Sequence, residues 1–186
     1  MAIIACYNVF NEAKHLEESF LSLRDKVDLI VVVDGAYKNF KHDKCYSTDG
    51  TLDIALKYAD RIIQAYSPEG TSEIEKRNMY LIGGEGDVYL QVDGHEIWKG
   101  ELDPTIVGNW RVRVKMGDGW HVFDKMFRHY NGIHYEKNHY QPYVGDKPLN
   151  IGQSEYPLGY FEHYDDISDE RRKAKEDYYK LPHFDQ

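Results

Sequence analysis

The N-terminal half of the chain alternates short, continuous apolar runs with longer stretches in which apolar positions recur every three or four residues, the pattern of strands interleaved with helices. Positions 2–6 form an apolar run expected as a buried strand, and 7–12, Tyr-Asn-Val-Phe-Asn-Glu, form the loop after it. Asn11 is placed to cap a helix on which Leu16, Phe20 and Leu23 share one face. A second buried strand spans 29–33 and ends at Asp34-Gly35, and the polar, lysine-rich loop 37–44 that follows is expected to be mobile. Ser-Thr-Asp-Gly-Thr at 47–51 opens a second helix with an apolar stripe of Leu52, Ala55, Leu56 and Ala59, and 61–65 is a third strand. Ser72 and Glu75 have capping-box spacing, which predicts a third helix over 73–82 stopped by Gly83-Gly84. A fourth strand at 88–92 alternates Val88, Leu90 and Val92 with Tyr89 and Gln91, Tyr89 being bulky enough to be partly buried.

Beyond Trp98 the period changes. Positions 110–116 alternate, Gly117-Asp118-Gly119 is a turn signal, and 120–128 alternate less cleanly, so antiparallel strands are expected. Asn131-Gly132 is the strongest hairpin signal in the chain, 140–159 carries prolines and glycines and is expected to be mostly loop, and a C-terminal helix is predicted from Ser168 or Asp169 to Leu181. Four strands alternating with three helices predict an α/β fold with a mostly parallel sheet flanked by helices, a small antiparallel section and that final helix. Such sheets bind ligands at the carboxyl ends of their strands, where Asp34 and Asp93 both fall.

Composition narrows the partners. A net charge of −9 argues against nucleic acid, which is bound by clustered Lys and Arg. The longest aliphatic run is far too short to span a bilayer, which leads to the expectation of a soluble, cytoplasmic protein, and only two cysteines, Cys6 and Cys45, are present, expected as reduced thiols. The 16 tyrosines suit wet or carbohydrate-like surfaces, where a ring stacks while its hydroxyl stays hydrogen-bonded. The chemistry concentrates at Asp93-Gly94-His95-Glu96. Asp93 and His95, two apart across a glycine, can face one point and suit a divalent metal, though Asp-Gly after a strand also serves simply as a turn.

The order of these pieces, Tyr7-Asn8 with Asn11-Glu12, Val33-Asp34, Ser47 to Thr51, Lys76-Arg77-Asn78, Asp93-Gly94-His95-Glu96, and Met126-Phe127-Arg128 through His139, resembles the GT-A fold (Rossmann-like) glycosyltransferases, most of all the family 2 type. The chain's short length resembles that of compact archaeal or archaeal-virus members. The resemblance implies a single domain over 1–186, with 1–100 binding a nucleoside diphosphate sugar and 101–186 facing the acceptor. It implies transfer of the sugar to an acceptor hydroxyl of a glycan, lipid or protein, with inversion. Asn11 and Glu12 would then lie beside the nucleoside, Asp34 on base or ribose, Arg77 on base or phosphate, and Asp93 on ribose and metal. Asp93 and His95 stand at the family's Asp-X-Asp positions. An imidazole at the second position favours Mn²⁺ over Mg²⁺, or shifts ligation to Glu96. A late family histidine is matched best by His163, with His139 second.

Inversion also needs a carboxylate base, and the family's Glu after the second-strand histidine is here Tyr140. Asp146 is the substitute, with Glu136 and Glu162 as alternatives. Two other functions stay open. The His95 departure and the missing Glu suit a catalytically silent nucleotide-sugar or glycan-binding module. A sugar nucleotidylyltransferase has a similar core but needs a glycine-rich basic loop where this chain has 7–12 without glycine.

Overall fold

A computed structural model describes residues 1–84, 87–165 and 177. The order β1 (Ile3–Val9), α1 (Ala13–Leu23), β2 (Leu29–Asp34), α2 (Thr51–Tyr58), β3 (Arg61–Gln64), α3 (Glu73–Met79), β4 (Val88–Asp93) is the expected alternation. All four strands run parallel, side by side as β3-β2-β1-β4. β1 is longer than its apolar run. Tyr7, Asn8 and Val9, expected in a loop, are strand, because Asn8 lies between Val33 of β2 and Asp93 of β4 and both neighbours extend the ladder. β4 lies between β1 and β7 and is buried on both faces, so Tyr89 is fully and not partly covered.

Leu16, Phe20 and Leu23 of α1 and Ala55 of α2 pack on one face of this sheet, while Ile74, Met79 and Tyr80 from α3 pack on the other. Helices thus cover both faces, with local corrections. Leu56 is 68% exposed, and the buried stripe of α2 instead uses Thr51, Ile54, Ala55 and Tyr58. Asn11 does not cap α1. It sits at φ 53° and its side-chain oxygen accepts from the Thr48 amide, while the first amide of α1, Ala13, donates to Asp49 Oδ2 at 3.0 Å. The segment that opens α2 therefore also staples the start of α1. The Ser72–Glu75 capping box is formed, but α3 stops at Met79, where Asn78 clamps both backbone groups of Tyr135.

The second half adds β5 (Glu96–Gly100), β6 (Trp110–Met116), β7 (Gly119–Arg128), β8 (Ile133–Tyr135), β9 (Pro142–Val144), β10 (Lys147–Pro148) and β11 (Glu155–His163). β6 and β7 form the expected antiparallel pair. The turn at Asn131-Gly132 is no hairpin, since β7 belongs to the large sheet and β8 to a small antiparallel one ordered β10-β9-β8. β11 begins within the stretch 140–159, expected to be mostly loop. Pro157 falls where its register with β6 is irregular, and Gly159 lies so close to Trp98 that an added Cβ would stand 2.0 Å from Cζ2. Trp98 belongs to the core at 3% exposure, whereas Trp120 is 52% exposed.

The large sheet runs β3-β2-β1-β4-β7-β6-β11-β5 and is mostly parallel. β4 and β5 are separated by three other strands in that order, yet only Gly94-His95 joins them in sequence. So short a link requires the sheet to curl until its far edge returns to the end of β4. The C-terminal helix expected from Ser168 or Asp169 to Leu181 lies outside the described residues. Among the described residues no helix is long and apolar enough to cross a membrane.

Candidate active site

The curl brings residues of five strands to one place. β4 delivers Asp93, β5 Glu96, β6 Met116, β7 Lys125 and β11 His163, the last directly opposite Glu96 in the β5–β11 register. Two adjoining lobes of about 340 and 370 Å³ open here and share Arg77, Asp93, Met116 and His163 along their seam. The first lobe continues over Asn8, Phe10, Tyr37 and Phe40 at the carboxyl ends of β1 and β2. The second continues over β6 and β7, past Phe123, Asp124 and Lys125, to Tyr140.

Ligand atoms of Asp93, Glu96 and His163 all lie within 4.8 Å of one another. Glu96 is 1% exposed and its carboxylate is well supplied: Oε2 accepts from the Asp93 amide at 2.9 Å and from Lys125 Nζ at 2.9 Å. Its Oε1 is 3.8 Å from His163 Nδ1. Lys125 also reaches Asp93 Oδ2 at 3.3 Å. Burial pushes the Asp93 pKa up, but the charges of Lys125, His95, Arg77 and His163 more than reverse this and hold it well below the usual carboxylate range. For Lys125, burial is outweighed by Asp93 and Glu96, so its ammonium is held charged. Burial lowers the His163 pKa, yet Glu96, Asp93 and Asp165 raise it on balance.

His95 turns elsewhere. Its Nδ1 is 3.1 Å from Glu12 Oε2, and its ring stands edge-on to His163 with centroids 4.4 Å apart. Gly94 is needed at this corner, because a Cβ there would meet Glu12 Cβ at 2.9 Å. Glu12 and His95 thus line the first lobe as a pair. Arg77 lines both lobes, its guanidinium fixed by Glu73 Oε1 at 3.1 Å and the Tyr80 hydroxyl at 3.0 Å.

Not all the expected residues arrive. Asp34 is fully buried away from the cleft, its carboxylate accepting from Ser47 Oγ at 2.5 Å and Tyr66 OH at 2.9 Å. Asn11 holds the loop at Thr48, and neither it nor Asp34 lines a lobe. Of the late histidines, His163 lines both lobes; His139 lines neither and sits behind Glu73, 3.7 Å from its carboxylate. Asp146 is exposed between β9 and β10, Glu136 is exposed after β8, and Glu162 faces Lys99 and Lys115, all outside both lobes.

Among the residues that line the lobes, Lys125 and Asn8 carry polar groups to which sequence reasoning assigned no role. Lys125 was detectable as a lysine directly before the buried Met126-Phe127 pair, although its partners were not. Asn8 is 8% exposed, lines the first lobe, and has no hydrogen-bond partner for either side-chain atom among the described residues. Assigning 7–12 to a loop hid it, because only a strand position beside Asp93 puts that amide under cover.

Parallel strands with helices on both faces, curled round to a cleft of carboxylates and imidazole at the strand ends, form the α/β architecture that the alternation of the sequence predicts. No family model matches the chain, and no curated protein matches it. Among solved structures it is similar to TarS of S. aureus, with 20% identity over 69% of this chain and 28% of that one and a TM-score of 0.47. It is similar to a TarS fragment in complex with UDP, with 28% identity over 54% of this chain and 29% of that one and a TM-score of 0.40. Glucosyl-3-phosphoglycerate synthase from Mycobacterium tuberculosis, in complex with Mn²⁺, UDP and glucosyl-3-phosphoglycerate, is similar at 20% identity over 63% of this chain and 44% of that one, with a TM-score of 0.42. The chain spans less than half the length of each of these.

Proposed function

We propose that the chain is a glycosyltransferase that moves a sugar from a nucleoside diphosphate sugar to an acceptor hydroxyl with inversion. The observation that carries this reading is the buried amide of Asn8, unpartnered among the described residues, in a cleft that also holds Arg77 and the Asp93–Glu96–His163 group. An amide offers both a donor and an acceptor, as the edge of a nucleobase requires, and the rings of Phe10, Tyr37 and Phe40 beside it suit a flat, aromatic ligand. The diphosphate then lies along the seam, where Arg77 presents positive charge to the leaving group.

A divalent ion suits the donor set of two carboxylates and an imidazole, and Asp93, Glu96 and His163 would hold it; His95, turned to Glu12, supports the first lobe instead. When bound, such an ion supplies Lewis-acid stabilisation of the departing phosphate. The acceptor occupies the second lobe, whose Phe123 and Tyr140 suit the apolar face of a sugar ring. Asp93 and Glu96 are taken up by Lys125 or by the ion, so Asp124, in the same lobe with a side chain 41% exposed and 3.6 Å from Arg111, takes the role of base in place of Asp146.

The test is thermal stabilisation by UDP, GDP and their sugar conjugates, with and without Mn²⁺, in the wild type and in Asp93→Asn. A nucleotide at 100 times its Kd should add about 2.7 kcal/mol to stability. Release of free nucleoside diphosphate from one sugar conjugate should follow, and be lost in Asp93→Asn. No stabilisation by any nucleotide would overturn the proposal. Donor binding without turnover would instead identify a silent nucleotide-sugar-binding module, the reading favoured by a lysine already seated on the acidic pair.

A further inference from the structure

The acidic pair at the seam already has a cation of its own. Lys125 Nζ lies 2.9 Å from Glu96 Oε2 and 3.3 Å from Asp93 Oδ2, and its side chain is only 9% exposed. A divalent ion bound to these carboxylates would need oxygens at roughly 2.0–2.6 Å, so an ion bridging Oε2 and Oδ2 would compete for the ammonium's own place. Using the opposite oxygens does not escape the conflict. The ion would share two carboxylates with an ammonium a short distance away, and like charges repel there, more at Glu96, 1% exposed, than at Asp93, whose side chain is 42% exposed. The Asp93 amide, donating to Glu96 Oε2 at 2.9 Å, completes a closed arrangement that needs no metal to hold its shape.

We propose that Lys125 is a built-in cation: its ammonium positions Asp93 and Glu96 in the absence of metal, and a divalent ion reaches these two carboxylates only in competition with it. Lys125 is thus a positioning residue, acting through the carboxylates it holds. The arrangement keeps the cleft shaped for a donor without a tightly bound metal and makes metal occupancy depend on moving one side chain. The inference rests on the reading of the cleft as a donor site only in its choice of a divalent ion as competitor.

The experiment uses Mn²⁺ alone, with no nucleotide, so its failure is distinct from a failure of nucleotide binding. Mn²⁺ affinity is measured from the electron paramagnetic resonance signal of the free ion, alongside melting curves with and without Mn²⁺, for the wild type, Lys125→Met and Lys125→Arg. Lys125→Met should bind Mn²⁺ about tenfold tighter than the wild type or better, ~1.4 kcal/mol. It should melt lower than the wild type in chelator and recover on adding Mn²⁺. Lys125→Arg, which keeps the charge, should match the wild type in both. A Lys125→Met protein that binds Mn²⁺ no tighter than the wild type overturns the proposal. If Lys125→Met does not fold, acylation of Lys125 in the wild type is read by mass spectrometry at Mn²⁺ concentrations that fill the site. Labelling should rise as the ammonium is displaced, and unchanged labelling at full occupancy overturns the proposal.

Discussion

Replacing Asn8 with leucine, which keeps the branched four-atom skeleton of the side chain but carries no polar atom, separates a ligand-reading role from a structural one. The amide lies on β1 between Val33 and Asp93, 8% exposed, with neither side-chain atom paired among the described residues. Burying an unpaired amide costs about 1–3 kcal/mol, and an apolar group of similar shape does not incur that cost. Asn8→Leu should therefore stabilise the ligand-free protein by about 1 kcal/mol, a rise in Tm of about 2–4 °C for a chain of this length. The same change should weaken nucleotide binding. Two hydrogen bonds at about 1 kcal/mol each amount to a loss of roughly tenfold to thirtyfold in Kd. Scanning calorimetry of the free protein and titration calorimetry with the nucleotide read the two effects separately. A variant that melts lower and binds nucleotide as well as the wild type would refute the reasoning, because the amide would then be holding the strand and not the ligand.

Asp34→Asn should lose about 1–3 kcal/mol in denaturant unfolding, since Ser47 and Tyr66 both donate to this buried carboxylate; a variant of unchanged stability that has lost nucleotide binding would instead show direct contact with the donor. Lys76 gives a pH signature. It is fully buried, its Nζ donating to Gly35 O at 2.7 Å and Val9 O at 3.0 Å, and burial lowers its pKa to about 7 despite the opposing charges of Asp34, Glu73 and Glu12. A neutral amine still has the two hydrogens those carbonyls need. Between about pH 7 and 10 the unfolded chain binds the proton that the folded one has released, so stability should rise with pH across that window, and the contribution is lost as pH falls to 7. Relative to Lys76→Met the gain should be on the order of 1–4 kcal/mol; a difference between the two proteins that stays flat or shrinks with rising pH would count against it.

The parallel half was legible because its evidence is local. Continuous apolar runs, a capping box at Ser72–Glu75 and an Asp-Gly after each of two strands set β1 to β4 in order, and parallel neighbours joined by helices follow from that alternation. Even the errors there are local ones. Asn8 looks polar enough for a loop until two flanking strands cover it, and Leu56 lies on the apolar stripe of α2 by spacing but not by contact. β11 was hidden for a different reason: Pro157 and Gly159 are loop residues by propensity, and a strand tolerates them because Pro157 falls at the irregular register with β6 and Gly159 lies against the indole of Trp98.

The site itself depends on strand order, which a period-two pattern does not contain. Alternation says which residues share a face; it does not say that β11 lies between β6 and β5, or that β5 returns beside the end of β4. Spacing along one strand therefore paired Asp93 with His95, whereas curling the sheet groups Asp93 with Glu96, Lys125 and His163. The two groupings have different chemistry. A neighbouring Asp and His offer a metal two ligands and nothing else, while the spatial group contains an ammonium that already neutralises part of the acid, so charge balance at the cleft does not require an ion. It is this folded arrangement, set by one two-residue link at Gly94-His95, that makes metal dependence a quantity to be measured and not a property that follows from the motif.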